Sequence, residues 1–121
     1  MPDRSDVRRL TIGIEEEFQI VNAAGELKSH SETLLTAARP HLGERVKPEM
    51  LQSVIEVGTK ICADISEARE EIGQLRGTLA TLLARDGLRI ASAGTHPFSH
   101  WQDQSGPEEE RYKNLEEALQ D

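Results

Sequence analysis

Positive charge is in short supply. The 121 residues carry 14 Lys and Arg against 22 Asp and Glu, a formal net charge of -8. Nucleic acid and anionic membrane both reward clustered basic side chains, so neither is an expected partner, and a cation is the more natural one. Aromatic residues are nearly missing: two Phe, one Trp and one Tyr are too few to build a platform on which bases stack. The single cysteine, Cys62, cannot form an internal disulfide, and the opening MPDRSDVRRL holds no apolar segment of signal-peptide or membrane-spanning length. A reducing cytoplasm is the expected setting. There is also no Gly-x-x-x-x-Gly-Lys phosphate loop and no Ser-His or Cys-His nucleophile signature.

What is present belongs to a folded chain. Apolar residues make up 36% and recur at regular spacings, which excludes a disordered acidic tail and suggests one domain over 1–121, with 1–8 flexible. From Arg9 to Val21 the residues alternate. Leu10, Ile12, Ile14, Phe18 and Ile20 point one way and Thr11, Gly13, Glu15, Glu17 and Gln19 the other, the pattern of a half-buried strand. Asn22 to Glu26 carries turn chemistry, with Leu27 to Ser29 as a short return strand. His30-Ser31-Glu32 offers the start of a short helix that Pro40 and Gly43 interrupt.

Another strand is expected over Leu51 to Ile61, with Leu51, Ile55, Val57 and Ile61 on one face and Gln52, Val54, Glu56 and Gly58 on the other. Asp64 or Ser66 caps the longest helix, whose Ile65, Ala68, Ile72, Leu75, Leu79 and Leu82 advance in steps of three and four until Arg85-Asp86-Gly87. Beside that stripe Gly73, Gly77, Ala80 and Ala84 form a row of small residues suited to tight packing. Leu88 to Ala93 reads as a third strand, and Pro107 with Glu108 to Glu110 as the first turn of a final helix. The expected class is α+β, a largely antiparallel sheet with helices on one face.

The stretch GIEEEFQI is the anomaly. Acidic residues are depleted in strands, yet three in a row stand here. Glu15 and Glu17 share a face about 6 to 7 Å apart, where their repulsion is about 2 kcal/mol at an effective dielectric of ~20. Two readings stay open at this point: a solvated charged face, or a pair of carboxylates held for a cation such as Mg²⁺, which takes a few carboxylates together with phosphate and water. Glu56, on the polar face of another strand, can complete such a cluster. Glu16 points with the apolar set and is the odd one: either it lies at the sheet's end, or it pairs with an arginine such as Arg9 or Arg89.

GIEEEF, then PEMLQSVIEVGT, then SAGTHPFSHWQDQ followed by ERY, in this order from about Leu10 to Leu119, resemble the carboxylate-amine ligases of the glutamate-cysteine ligase type 2 family. The resemblance covers only the N-terminal portion of that family's members. It implies a fold like part of the glutamine synthetase and glutamate-cysteine ligase catalytic domain, with Mg²⁺ and ATP held against a curved antiparallel sheet. Carried over by motif, Glu15 and Glu17 match the metal pair of G-x-E-x-E, and Glu49 and Glu56 match two later acidic positions. Glu49 and Glu56 differ in parity, so both reach a metal only through a bulge or with Glu49 in the turn after Pro48.

His96, Arg111 and Tyr112 match positions suited to nucleotide or substrate. For His96, a turn-stabilising role is an equal alternative. The implied reaction is ATP-dependent amide formation from an amino acid through an acyl phosphate, which needs no protein nucleophile. Cys62 then reads as a buried small hydrophobe. The other reading is an inactive module that self-associates or binds a complementing chain through an unfinished sheet edge.

Overall fold

The computed structural model describes residues 10–93 and 96–99. Arg111, Tyr112 and the helix expected after Pro107 lie outside the described residues. Element order is β1 (Glu15–Val21), α1 (Ser31–Leu42), a 3₁₀ turn (Gly43–Arg45), β2 (Val46–Pro48), β3 (Val54–Gly58), α2 (Ile65–Ala84) and β4 (Arg89–Ala91). The four strands form one sheet in the order β2-β3-β1-β4, every neighbouring pair antiparallel. Four strands and two helices in the order β-α-β-β-α-β make the split βαβ arrangement known as ferredoxin-like.

The register sorts the side chains. Phe18 stands opposite Ile55, Glu16 opposite Val57, and Val57 opposite Val46. These residues, with Ile20, face the helices, and the core closes on them from α1 through Leu34, Ala38 and Leu42, and from α2 through Leu75, Leu79, Leu82 and Leu83. The alternate positions, Glu15, Glu17, Lys47, Glu56 and Arg89, form the other face. Helices on one face and carboxylates on the other is the arrangement the alternation predicts.

Local chemistry explains the helix limits. Asp64 accepts from the Glu67 N–H at 2.8 Å, and Glu67 reaches back to the Ala63 N–H at 2.6 Å. This is a capping box displaced by one residue, and it selects Asp64 over Ser66. Gly87, at φ +70°, ends α2 in a conformation that costs glycine little, as the Leu88 N–H returns to the Leu83 carbonyl at 3.0 Å. His30 precedes α1 without a side-chain cap; instead the Gln52 carbonyl accepts from both His30 N and Ser31 N. Tertiary structure thus does what the local sequence does not.

Several expectations need correction. The first strand begins at Glu15 and not at Arg9, because upstream pairing is reduced to one bridge between Ile12 and Cys62, and Leu10 is exposed. Residues 51–61 supply a strand only over Val54–Gly58, and the return strand at Leu27 is a single bridge to Val21. Pro40 does not interrupt α1 but sits in its last turn; Gly43 stops it, at φ +58°. The small residues fail as a packing row: Gly73 and Gly77 have nothing within 4 Å of where a Cβ would stand, and Ala80 and Ala84 are exposed. Strand β2 was not foreseen at all, since three residues ending in proline carry no period.

One buried group lacks a partner among the described residues. Ser53 is fully buried and its Oγ makes no hydrogen bond. An unsatisfied buried hydroxyl costs roughly 1 to 3 kcal/mol, and its removal costs only a methyl-sized change in packing. Ser53→Ala is therefore expected to leave stability unchanged or raise it by about 1 kcal/mol in urea unfolding.

Candidate functional site: the acidic sheet face

Glu17 stands directly opposite Glu56, and Glu56 directly opposite Lys47. Three charged side chains therefore form one row across β1, β3 and β2, with neighbouring backbones about 4.8 Å apart. Glu15 faces Gly58 one pair further along on the same face, and its Cγ lies 3.8 Å from where a Gly58 Cβ would stand. Because Gly58 has no side chain, nothing on β3 separates Glu15 from the Glu17–Glu56 pair.

Glu49 joins this row from the connection that follows β2. Strand β2 ends at Pro48, so Glu49 is free of the strand's alternation and turns toward Glu56. The parity conflict is resolved by the turn, without a bulge. Its carboxyl is pushed up to about 7, first by burial, then by its hydrogen bond to Glu56 and by the charges of Glu56 and Glu17, with a partial offset from the Met50 N–H. Glu49 is half-buried, Glu56 likewise, and Glu15 and Glu17 are exposed. Burial first, and the neighbouring carboxylates after it, thus favour the protonated form of Glu49.

The sign of this effect gives a prediction. A carboxyl whose folded pKa lies above its unfolded value favours folding while protonated, and that contribution fades as pH rises from about 4.5 to about 7. Stability of the metal-free chain should therefore fall across that window. Glu49→Gln, which keeps the neutral shape, should flatten the fall. Thermal unfolding of both proteins from pH 4.5 to 7.5 checks it, and identical slopes would refute the assignment.

Glu16 leaves this face entirely. It points toward the helices and is clamped by Arg76 of α2 through two bonds, 2.9 Å to Oε1 and 2.6 Å to Oε2. The partner is Arg76 and not Arg89; Arg9, the other candidate, lies outside the described residues. The same ion pair lifts the Arg76 guanidinium above its ordinary value.

At the edge of the acidic face lies a cleft of ≈ 580 Å³, lined by Gly13, Ile14, Glu15, Glu44, Arg45, Lys47, Gly58 and Thr59. Arg45 is held there by buried Glu71. The Thr59 hydroxyl oxygen accepts the Ile14 N–H at 3.0 Å. Lys47 and Thr59 escaped sequence reading because β2 was not recognised and nothing else marked a lone Lys or Thr.

His96 does not join the carboxylates. Its Nδ1 accepts from the Phe98 and Ser99 N–H groups, at 3.3 and 3.1 Å, so its Nε2 proton goes to the Gly25 carbonyl at 2.6 Å. Gly25 lies in the turn beyond the end of β1 remote from Glu15, and both ring nitrogens are used in holding that turn to the 96–99 segment. Cys62 is buried, with its thiol directed to the Lys60 carbonyl at 3.3 Å, as a small hydrophobe would be.

Among the described residues no three His, Cys, Asp or Glu side chains already stand in ligating geometry for a metal ion. The fit to a cation rests on the donor set: Glu17, Glu56 and Glu49 converge on one face, where the charges of Glu56 and Glu17 add to burial in raising the Glu49 carboxyl.

Fold and site define an α+β domain with helices behind its sheet and carboxylates in front. Comparison with known proteins supplies the family. The family model described as glutamate-cysteine ligase family 2 matches residues 11–121, and the chain belongs to that family. It is 52% identical over 112 residues to a protein of Chloroflexus aggregans and 51% identical over 116 residues to one of Sorangium cellulosum. Another, from Solibacter usitatus, is 43% identical over 112 residues. All three bear the provisional name glutamate-cysteine ligase 2. The alignments cover 91% to 93% of this chain but only 29% to 31% of those proteins, so the chain spans less than a third of their length. Among the described residues no helix is long and apolar enough to cross a membrane.

Proposed function

We propose that the acidic face is the metal–nucleotide side of an ATP- and Mg²⁺-dependent carboxylate-amine ligase of the glutamate-cysteine ligase type 2 kind. The observation that carries this is the meeting of Glu17, Glu56 and Glu49 on one sheet face, beside Glu15, in a chain of that family. In this reading Glu15, Glu17 and Glu56 hold Mg²⁺, and Glu49 ligates once it has lost its proton. Mg²⁺ supplies charge neutralisation between these carboxylates and the phosphates of ATP.

The chain's own residues do the positioning. The β1–β3 ladder fixes Glu17 and Glu56 opposite one another, and the bare Gly58 leaves room beside Glu15 for a ligand to approach the sheet. ATP would phosphorylate a substrate carboxylate, and an amine would displace phosphate to form the amide. No protein nucleophile is required, in keeping with a site built from carboxylates. The substrates are an amino acid and ATP, and the setting is the cytoplasm. The experiment is Mg²⁺-dependent phosphate release from ATP with amide formation in the presence of amino acids.

A second reading has its own observation. The sheet of the described residues is open at β2 and β4, and Leu10, Ile61 and Ile65 are 71%, 77% and 71% exposed. Open edges and bare apolar side chains suit a module that pairs with itself or with a complementing chain. In that case the chain is inactive alone and sediments as an oligomer whether or not the carboxylates are replaced.

A further inference from the structure

The cleft beside Glu15 contains a cation that the carboxylates do not claim. Lys47 lies across from Glu56 in the β2–β3 register, on the face that also bears Glu17 and Glu15, yet it makes no ion pair within 4.0 Å among the described residues. Arg45, the other cation lining the cleft, is committed to Glu71. Thr59 accepts a hydrogen bond from Ile14, which leaves its own O–H proton free to donate. Gly13 has nothing within 4 Å of where a Cβ would stand, so a ligand can reach the cleft wall down to the backbone. The cleft thus combines one ammonium without an ion pair, one available hydroxyl donor and open backbone, with the carboxylates of Glu15 and Glu44 also on its wall.

We propose that this cleft binds an oxyanion, with Lys47 as its charged anchor and Thr59 as a donor. A plain solvated edge lysine is the ordinary alternative, because lysines on edge strands discourage strand pairing. What separates the two is the setting: this lysine, though exposed, lines a cleft of ≈ 580 Å³ together with Thr59, next to Glu15. The oxyanion has two possible sources, a nucleotide phosphate or the carboxylate of an amino acid. The assignment deepens the ligase reading in that both sources are its proposed substrates, but binding itself needs no turnover.

The test is calorimetry on the full chain with two probes, ADP with Mg²⁺ and L-glutamate. Wild type is compared with Lys47→Met, Lys47→Arg, Thr59→Val and the control Lys28→Met, each checked for folding by its melting temperature. Lys47→Met should weaken one probe at least 10-fold, Thr59→Val should weaken the same probe severalfold, and Lys47→Arg should retain most of the affinity. The control should change nothing. Whichever probe responds identifies the source of the oxyanion.

Unchanged binding of both probes to Lys47→Met would overturn the proposal, even if Mg²⁺-dependent nucleotide binding persisted and kept the ligase reading intact. Wild type that binds neither probe at 10 mM would overturn it too. Lys47-dependent binding of L-glutamate with no Mg²⁺ effect on ADP would uphold the oxyanion site while removing support from the metal–nucleotide reading.

Discussion

Replacing Glu71 by alanine is expected to cost about 3 kcal/mol of folding stability, the low end of the range for breaking a buried ion pair. Glu71 is 5% exposed, yet its carboxylate is paired with Arg45 and accepts the Lys60 N–H at 3.3 Å. Burial raises its pKa, but the Arg45 hydrogen bond, the Lys60 N–H and the two positive charges outweigh that and hold the carboxyl below its ordinary value. One side chain of α2 thereby fastens the 3₁₀ turn before β2 to the segment after β3. Removing it leaves the Lys60 N–H without its acceptor and Arg45 without its counter-charge; the low end is chosen because Arg45 keeps its bonds to the Leu42 and His41 carbonyls and its side chain, 26% exposed, can recover water.

For a domain of this size about 3 kcal/mol is on the order of 15 °C in melting temperature. The pH dependence has the opposite sign to that of Glu49. A depressed carboxyl stabilises above its unfolded pKa, so this contribution is lost as pH falls below about 4.5 toward the folded value. A drop of less than 5 °C for Glu71→Ala at pH 7 would show that the pair contributes little. Arg76→Ala, which breaks the pair with Glu16 at an arginine 53% exposed, should cost far less, about 0.5 kcal/mol.

The second large effect is on activity. The double substitution Glu15→Gln with Glu17→Gln is expected to abolish Mg²⁺-dependent ATP turnover and amide formation, a loss of at least 100-fold, with the melting temperature unchanged or raised. Stability should not suffer because both side chains are exposed and repel each other and Glu56. Activity should, because glutamine presents a neutral carbonyl where a hard cation needs a carboxylate. A variant that melts as wild type and still turns over ATP would remove these residues from the metal site. An inactive wild type that assembles equally with and without the substitutions would favour the association module.

How much of this was legible in the sequence follows from where period and register could act. Alternation from Arg9 to Val21 placed Glu15 and Glu17 on one face and Glu16 on the other, and the three-four stripe placed α2 to within a residue. Local rules could not see partners. Glu16 meets Arg76 because α2 crosses β1, a fact of tertiary geometry sixty positions away, and His30 is capped by a carbonyl from the β2–β3 connection. Glu71 falls on the buried stripe, three residues after Ala68 and four before Leu75, but its charge and the neighbouring Arg69 and Glu70 made it read as exposed, and its partner Arg45 lies on another element.

The small-residue row misled for a related reason. Gly73 and Gly77 permit close approach, but permission is not contact, and no described element takes it up. At the site, motif order proposed Glu49 where parity argued against it; Glu49 lies in the turn after Pro48, beyond the strand whose alternation would have turned it away, and its carboxyl meets Glu56.

Paramagnetic Mn²⁺, a stand-in for Mg²⁺, tests the acidic face most directly when titrated into the isotope-labelled chain and followed by NMR. The account predicts saturable broadening centred on the backbone amides of Glu15, Glu17, Glu49 and Glu56, reversed by excess Mg²⁺ and lost in the Glu15→Gln, Glu17→Gln protein. Broadening spread evenly over the 22 acidic residues, or centred elsewhere and indifferent to those substitutions, would contradict it.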